Sequence, residues 1–174
     1  MLLRFKALPI IIRDHLILRL PAEVSAQLSS RGMGMGKCTI GGKTHTLPLE
    51  PDGRGGHWMD VTGLKHTVHQ PIDVTLDPTD SWPDPVMPHD IMTAFDGDPV
   101  SKAMYANITP KARWEWLRWI RSTNSAQTRA KRIRVSIDKM HKGMRRPCCF
   151  TQSMCTVPEV SKSGVLITDE AARP

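Results

Sequence analysis

Cys148 and Cys149 stand side by side after Arg145-Arg146, and Cys155 follows a short way on. Neighbouring guanidinium groups favour thiolate over thiol, which would make these cysteines nucleophilic or metal-avid. His141 could add a fourth ligand and complete a Cys3His zinc set. Adjacent cysteines fit a tetrahedral site less readily than a C-x-x-C knuckle, and a disulfide between direct neighbours is strained. Cys148, Cys149 and Cys155 are therefore candidates for metal or redox chemistry, against the alternative of inert thiols.

Other residues offer weaker chemistry. Met33-Gly-Met35-Gly-Lys-Cys38 presents soft ligands that could suit Cu(I), but alternate residues of a strand share a face, so core packing accounts for them equally. His45, His57, His66 and His69 lie on neighbouring short elements without the fixed spacing of a metal motif. His45, His57 and Trp58 are the candidate ligand-binding residues of this half. Arg31 to Gly36 resembles a phosphate loop only in glycine content, because no Ser or Thr follows Lys37. Trp114 is flanked by Arg113, Arg118 and Arg121; its indole could stack on a base or close over the proline-rich connector near Trp82. No nucleophile with a convergent base is visible, so no catalytic residue is assigned, and nothing in the sequence requires a cofactor.

Charge separates the chain into two regions. Lys111 to Arg146 carries twelve Lys/Arg against Glu115 and Asp138, a balance of +10, whereas the whole chain is only +7. The remainder is thus acidic by −3. That asymmetry suits an anionic partner, with Arg113, Arg118, Arg121, Arg129 and Arg132 as candidate contacts. It equally suits a solvated helix face whose inner side packs on the body. No apolar run reaches the roughly 18 residues of a membrane span. The apolar start is interrupted by Arg4, Lys6, Arg13 and Asp14, which argues against an export signal. Four cysteines do not make a disulfide framework for 174 residues, and a reducing cytoplasm is the expected location.

The elements that must position these residues read as α+β. Thr109 to Phe150 is the strongest stretch. Thr109 can cap a helix that Pro110 begins, and Ala112, Trp116, Trp119 and Ile120 form one stripe at helical spacing. Asn124 with Gln127 resembles a capping box, and Ala130, Ile133, Ile137 and Met140 form a second stripe. Gly143 is placed to end that helix in a left-handed turn. Shorter helices are expected from Pro88 to Phe95 and after Asp98-Pro99.

Residues 1 to 80 instead show short strands and frequent turns: Leu2 to Leu8, His15 to Leu20, Lys37 to Ile40, Lys43 to Leu49, His57 to Val61 and Val68 to Leu76. Gly41-Gly42 is a tight-turn pair, and Pro21 to Leu28 reads as a small helix. A small closed or partly closed β-barrel is expected, mainly β, followed by the helical hairpin. Four prolines between Asp77 and Pro88 mark a semi-rigid connector. The expected organisation is a barrel domain over 1–80, a helical region over 81–147, and a cysteine-containing tail over 148–174 lying loosely on the surface.

Pro88 and Asp90, Tyr105, Thr109-Pro110, Trp119-Ile120, and Thr128-Arg129 with Arg132-Ile133 together resemble the C-terminal half of the bacterial YdeI/OmpD-associated family. Phe5, Leu20-Pro21-Ala-Glu-Val24, Thr39-Ile-Gly-Gly42 and Leu49 are similar to the small β-barrel domain often fused to it. A departure falls at His69-Gln70-Pro71, where a Gly-Asp turn is expected. The resemblance spans about residues 2 to 147. It implies an association with bacteriocin protection and envelope stress resistance, and no set of catalytic residues. The expectation is a non-enzymatic protein that binds a small ligand or protein partner; nucleic-acid binding through the basic hairpin and thiol chemistry at Cys148/Cys149 stand as alternatives.

Overall fold

The computed structural model describes residues 1–64, 69–148 and 150–168. The chain divides into two compact units. The first is built from Met1–Ser81, Thr151–Cys155 and the chain from Glu159; the second from Trp82–Phe150 with Thr156–Pro158.

The first unit is an open but strongly curled half-barrel. Its strands are β1 (Leu3–Ala7), β2 (Pro9–Ile12), β3 (His15–Arg19), β4 (Gly34–Ile40), β5 (Lys43–Pro51), β6 (His57–Asp60) and β7 (Ile72–Thr79), with α1 (Ala22–Ser25) between β3 and β4. All pairings are antiparallel, in the order β1-β7-β4-β5-β6-β3-β2. Alternation sets the register. Leu3 and Ala7 on β1 and Val74 and Leu76 on β7 turn into one core with Cys38, Ile40, Leu49 and Met59. Arg4, Lys6 and Asp73 stay outside, and a slip by one residue would reverse both faces. Gly41 (φ 57°) and Gly42 (φ 76°) make the β4–β5 turn left-handed at both positions, as a two-residue hairpin requires.

Two strand boundaries differ from the sequence reading. Pro9 to Ile12, which falls between the strands expected at Leu2 to Leu8 and His15 to Leu20, is itself a strand paired with β3, and only Arg13-Asp14 is left as the turn, with Arg13 at φ 52°. β7 runs on through Pro78 although prolines were expected to stop it. The β1 ladder ends at Leu76, so Pro78 has a neighbour only on its β4 side, an edge position where a missing N–H is tolerated. His69, at the turn where a glycine is expected, adopts φ 64°. Val68 and His66 lie outside the described residues.

The described part of the tail, 150–168, packs into the fold rather than lying loosely. Ser163 (φ 51°) and Gly164 (φ 76°) turn a short hairpin, β8 (Ser161–Lys162) with β9 (Val165–Leu166). Val160 and Leu166 are buried. The Leu166 N–H donates to the Asp52 carbonyl at 2.9 Å, and the Arg19 guanidinium donates to the Ile167 carbonyl at 2.8 Å. Two short apolar positions around a Ser-Gly turn are enough to fix this segment, and they lack the length that would announce a strand.

The second unit holds α2 (His89–Asp96), α3 (Pro99–Asn107), α4 (Pro110–Arg121) and α5 (Ala126–His141). Thr109 caps α4 by accepting from the Ala112 N–H at 3.2 Å, as its sequence predicts. The cap of α5 is Ser125, accepting from the Thr128 N–H at 3.2 Å, one residue later than the Asn124–Gln127 pattern suggests. The Thr123 hydroxyl takes the Ser125 N–H and turns the chain there. Gly143 (φ 77°) closes α5: its N–H bonds the Met140 carbonyl, and the Met144 N–H bonds the Lys139 carbonyl, each at 3.0 Å. Ile91, Phe95, Ile108, Ala112, Trp116, Leu117, Ile120, Ile133 and Met140 form the core. Ala130, expected in the second stripe, is exposed.

Candidate functional site

The cationic hairpin is the most distinctive surface, and its arginines are drawn into the second unit. Arg113 donates to the Tyr105 carbonyl (3.1 Å) and the Ala106 carbonyl (3.0 Å), pairs with Asp84 at 2.8 Å, and lies 5.0 Å over the Tyr105 ring. It thereby clamps the end of α3 and the connector onto α4. Arg129 holds Asp90 with two hydrogen bonds, 2.7 and 2.9 Å, joining α5 to α2 in the two-pronged geometry that guanidinium and carboxylate favour. Arg132 donates to the Trp119 carbonyl at 2.8 Å and the Ser122 hydroxyl at 2.6 Å, closing the exposed end of α4. Burial lowers the Arg132 pKa from its ordinary value.

Arg118 is only 2 % exposed. Its Nε donates to the Thr156 hydroxyl at 3.2 Å, and its guanidinium lies 5.4 Å over Phe150. Arg121 donates to the same hydroxyl through Nε (3.4 Å) and Nη2 (3.2 Å). Thr156 is thus a tail residue on which two arginines converge. Nothing in its sequence context announced it, because the partnership spans more than thirty residues. Arg145 donates to the Asn107 carbonyl at 2.6 Å, and Arg146 approaches Glu115 at 3.5 Å. Lys131 and Arg134 remain exposed on α5.

The tryptophans serve the same framework. Trp116 donates its indole N–H to the Arg145 carbonyl at 3.1 Å and meets Trp119 edge-on at 6.1 Å. Trp114 donates to the Pro83 carbonyl at 2.8 Å, so its indole holds the connector, while Lys111 sits 5.3 Å over Trp82. Asp98 caps α3 through the Ser101 N–H at 2.7 Å and receives His141 Nε2 at 2.9 Å. The Ser101 amide, and then His141, hold its carboxyl at about 2.

In the first unit His57 and Trp58 are buried, and His45 is half-buried beside Cys38 on β5. Trp58 donates to the Pro51 carbonyl at 3.3 Å. His57 Nε2 lies 3.0 Å from the Gly32 carbonyl and must donate there, which leaves Nδ1 to accept from the Ser25 hydroxyl at 2.6 Å. This ring ties α1, β6 and the glycine-rich loop together. Desolvation depresses its pKa below the ordinary 6.5. The neutral ring is therefore the native form, and the unfolded chain takes up a proton first as pH falls below 6.5. Stability should decline from pH 7 to 5, and thermal unfolding of a His57→Gln variant should show a shallower decline over that window. An unchanged slope would remove His57 from the titration.

The cysteines differ in access. Cys38 is buried with Sγ 3.3 Å from the Met59 sulfur, and burial raises its pKa to about 12. Cys155 is buried in the first unit. Cys148 is exposed in the second, with the Lys139 ammonium 2.8 Å from its Sγ. Cys149 lies outside the described residues. Among those described, no three His, Cys, Asp or Glu side chains stand where they could hold a metal ion. In a Cys149→Ser background, iodoacetamide at pH 8 should add one label, at Cys148; labelling of Cys38 without denaturant would contradict its burial.

A small module of four helices, pinned by guanidinium bonds to carbonyls and carboxylates, is thus the class of structure that the C-terminal half defines. Residues 84–143 match the family described as Bacteriocin-protection, YdeI or OmpD-Associated. The match covers α2 to α5, where Asp90, Tyr105, Thr109, Trp119, Arg129 and Arg132 carried the resemblance. No curated protein matches the chain. Among the described residues, no helix is long and apolar enough to cross a membrane.

Proposed function

We propose that this is a non-enzymatic, cytoplasmic protein that binds a ligand or protein partner in bacteriocin or stress resistance. The observation that carries the reading is the match of 84–143 to a bacteriocin-protection family, on the stretch that folds as the helical unit. The polar side chains of that unit support it. Arg129 and Arg132, two of the residues that carry the resemblance, join a helix pair and close a helix end, so they build a shape. A shape assembled in this way suits recognition by a partner more than turnover of a substrate. No disulfide joins the described cysteines Cys38, Cys148 and Cys155, which is compatible with a reducing compartment.

An anionic partner remains part of the proposal through cations left exposed in this stretch, among them Lys131 and Arg134, one turn apart on α5. The test is survival. Expression in a bacteriocin-sensitive bacterial strain should raise survival on challenge, and a Lys131→Glu/Arg134→Glu variant should report whether that face takes part. Wild-type protein that accumulates folded without changing survival would sink the resistance role.

A further inference from the structure

The half-barrel leaves one edge of β1 without a strand. Among the described residues, the backbone of Leu3–Ala7 is hydrogen-bonded to β7 alone. The side chains along this edge are sorted by face. Leu3 and Ala7 point into the core, and Phe5 between them is only partly covered. Arg4 and Lys6 share the outer face, where β7 opposes them with Thr75 and Asp73. Lys6 reaches Asp73 at 3.0 Å in a largely exposed pair, and in the β1–β7 register Arg4 stands across from the neutral Thr75. A trough of about 440 Å³ follows these residues, lined by Arg4, Phe5, Lys6, Asp73, Val74 and Thr75.

We infer that β1 is a docking edge for an extended segment of a partner protein, one that alternates acidic and apolar side chains. An unpaired strand edge is a template for a further strand, and its main-chain groups supply affinity while alternate side chains supply selectivity. On the outer face the added strand would stand beside Arg4 and Lys6, which calls for carboxylates at alternate positions. On the inner face it would continue the row of Leu3, Phe5 and Ala7 and cover the remaining surface of Phe5. A second copy of this chain fits poorly. Antiparallel self-pairing centred on Phe5 sets Arg4 opposite Lys6, and like charges directly opposite are destabilising. This inference rests on the partner-binding reading above and names the segment that such a partner would offer.

The probe is a capped heptapeptide, Val-Glu-Val-Glu-Val-Glu-Val, titrated into the full chain while amide exchange is followed. Saturable binding should slow exchange within Leu3–Ala7, and Arg4→Glu should weaken binding about tenfold, from cross-strand charge pairing. Lys6→Glu should act in the same direction. Both positions are exposed, so an unchanged circular dichroism spectrum excludes misfolding. The same peptide with alternate backbone nitrogens methylated should lose binding, since it keeps every side chain and removes strand donors. Overturning results are equal binding of a peptide with lysine in place of glutamate, slowed exchange only outside β1, or a sedimenting dimer that already protects Leu3–Ala7. Peptide binding that fails while the protein still protects cells overturns the edge and leaves the resistance reading standing. Protection that fails while the peptide binds overturns the resistance role alone.

Discussion

Replacing Trp116 by alanine should destabilise the helical unit by about 3–5 kcal/mol, the cost of truncating a fully buried aromatic side chain. Trp116 is completely enclosed among Ile91, Phe95, Ile120, Ile133 and the rest of that core. Its truncation removes apolar burial, leaves a cavity, and frees the Arg145 carbonyl that its indole N–H satisfies at 3.1 Å. A loss of that size is a large share of the roughly 5–15 kcal/mol that holds a typical domain. Urea unfolding followed by helical circular dichroism would show it. The control is Trp114→Phe, which keeps most of an aromatic surface and loses the bond to the Pro83 carbonyl. That change should cost only about 1 kcal/mol. Equal effects from the two substitutions would contradict the placement of Trp116.

The second large effect is expected in the first unit. Gly53 lies at φ 79°, and a Cβ there would fall 2.2 Å from the Gly164 carbonyl oxygen and 2.9 Å from Val165 Cα. Both obstacles are backbone, so no side chain can swing aside. Gly53→Ala should therefore cost about 2–4 kcal/mol, combining a left-handed alanine with forced overpacking. The strain should appear locally as faster amide exchange at Leu166 and Cys155, whose N–H groups bond the Asp52 and Gly164 carbonyls. Gly42→Ala separates the two causes. Its φ is also positive, 76°, but an added Cβ meets nothing within 4 Å. It should cost about 1–2 kcal/mol, the backbone part alone. If Gly53→Ala proves no worse than Gly42→Ala, the tail hairpin does not seat against that loop.

These two sites mark how far the sequence was legible. Trp116 could be found because its partners in α4 recur every three or four residues, and the Thr109-Pro110 start and Gly143 stop are local chemistry. Alternation on β1 and β7 and the Gly41-Gly42 turn were readable for the same reason. Gly53 could not be assigned its role, because the group that forbids a side chain there is more than a hundred residues away. The arginines illustrate the same division. Their density on 111–146 is plain from composition and suggests an anionic partner. Their actual neighbours are the Tyr105, Ala106 and Trp119 carbonyls, Asp90, Asp84 and Thr156, which only the folded chain brings near. Thr156 in particular comes from a tail whose weak periodicity concealed its part in the second unit. The unpaired edge of β1 was also beyond sequence reading, since which strand ends a sheet depends on topology.

The claim that these cations build the helical unit is tested most directly by titrating the protein into a fluorescently labelled 20-base-pair DNA duplex at 50 and 200 mM salt. With Arg113, Arg118, Arg121, Arg129 and Arg132 engaged internally, binding at 200 mM should be no tighter than the roughly 10⁻⁴–10⁻⁶ M of non-specific contacts, and its salt slope should correspond to at most about six phosphates, from the exposed Lys111, Lys131, Arg134, Lys142, Arg145 and Arg146. Nanomolar binding with a slope of about ten phosphates or more, beyond what those exposed cations supply, would mean that Arg113, Arg118, Arg121, Arg129 and Arg132 leave their carbonyls, hydroxyls and carboxylates for DNA, and would contradict their role in building the helical unit.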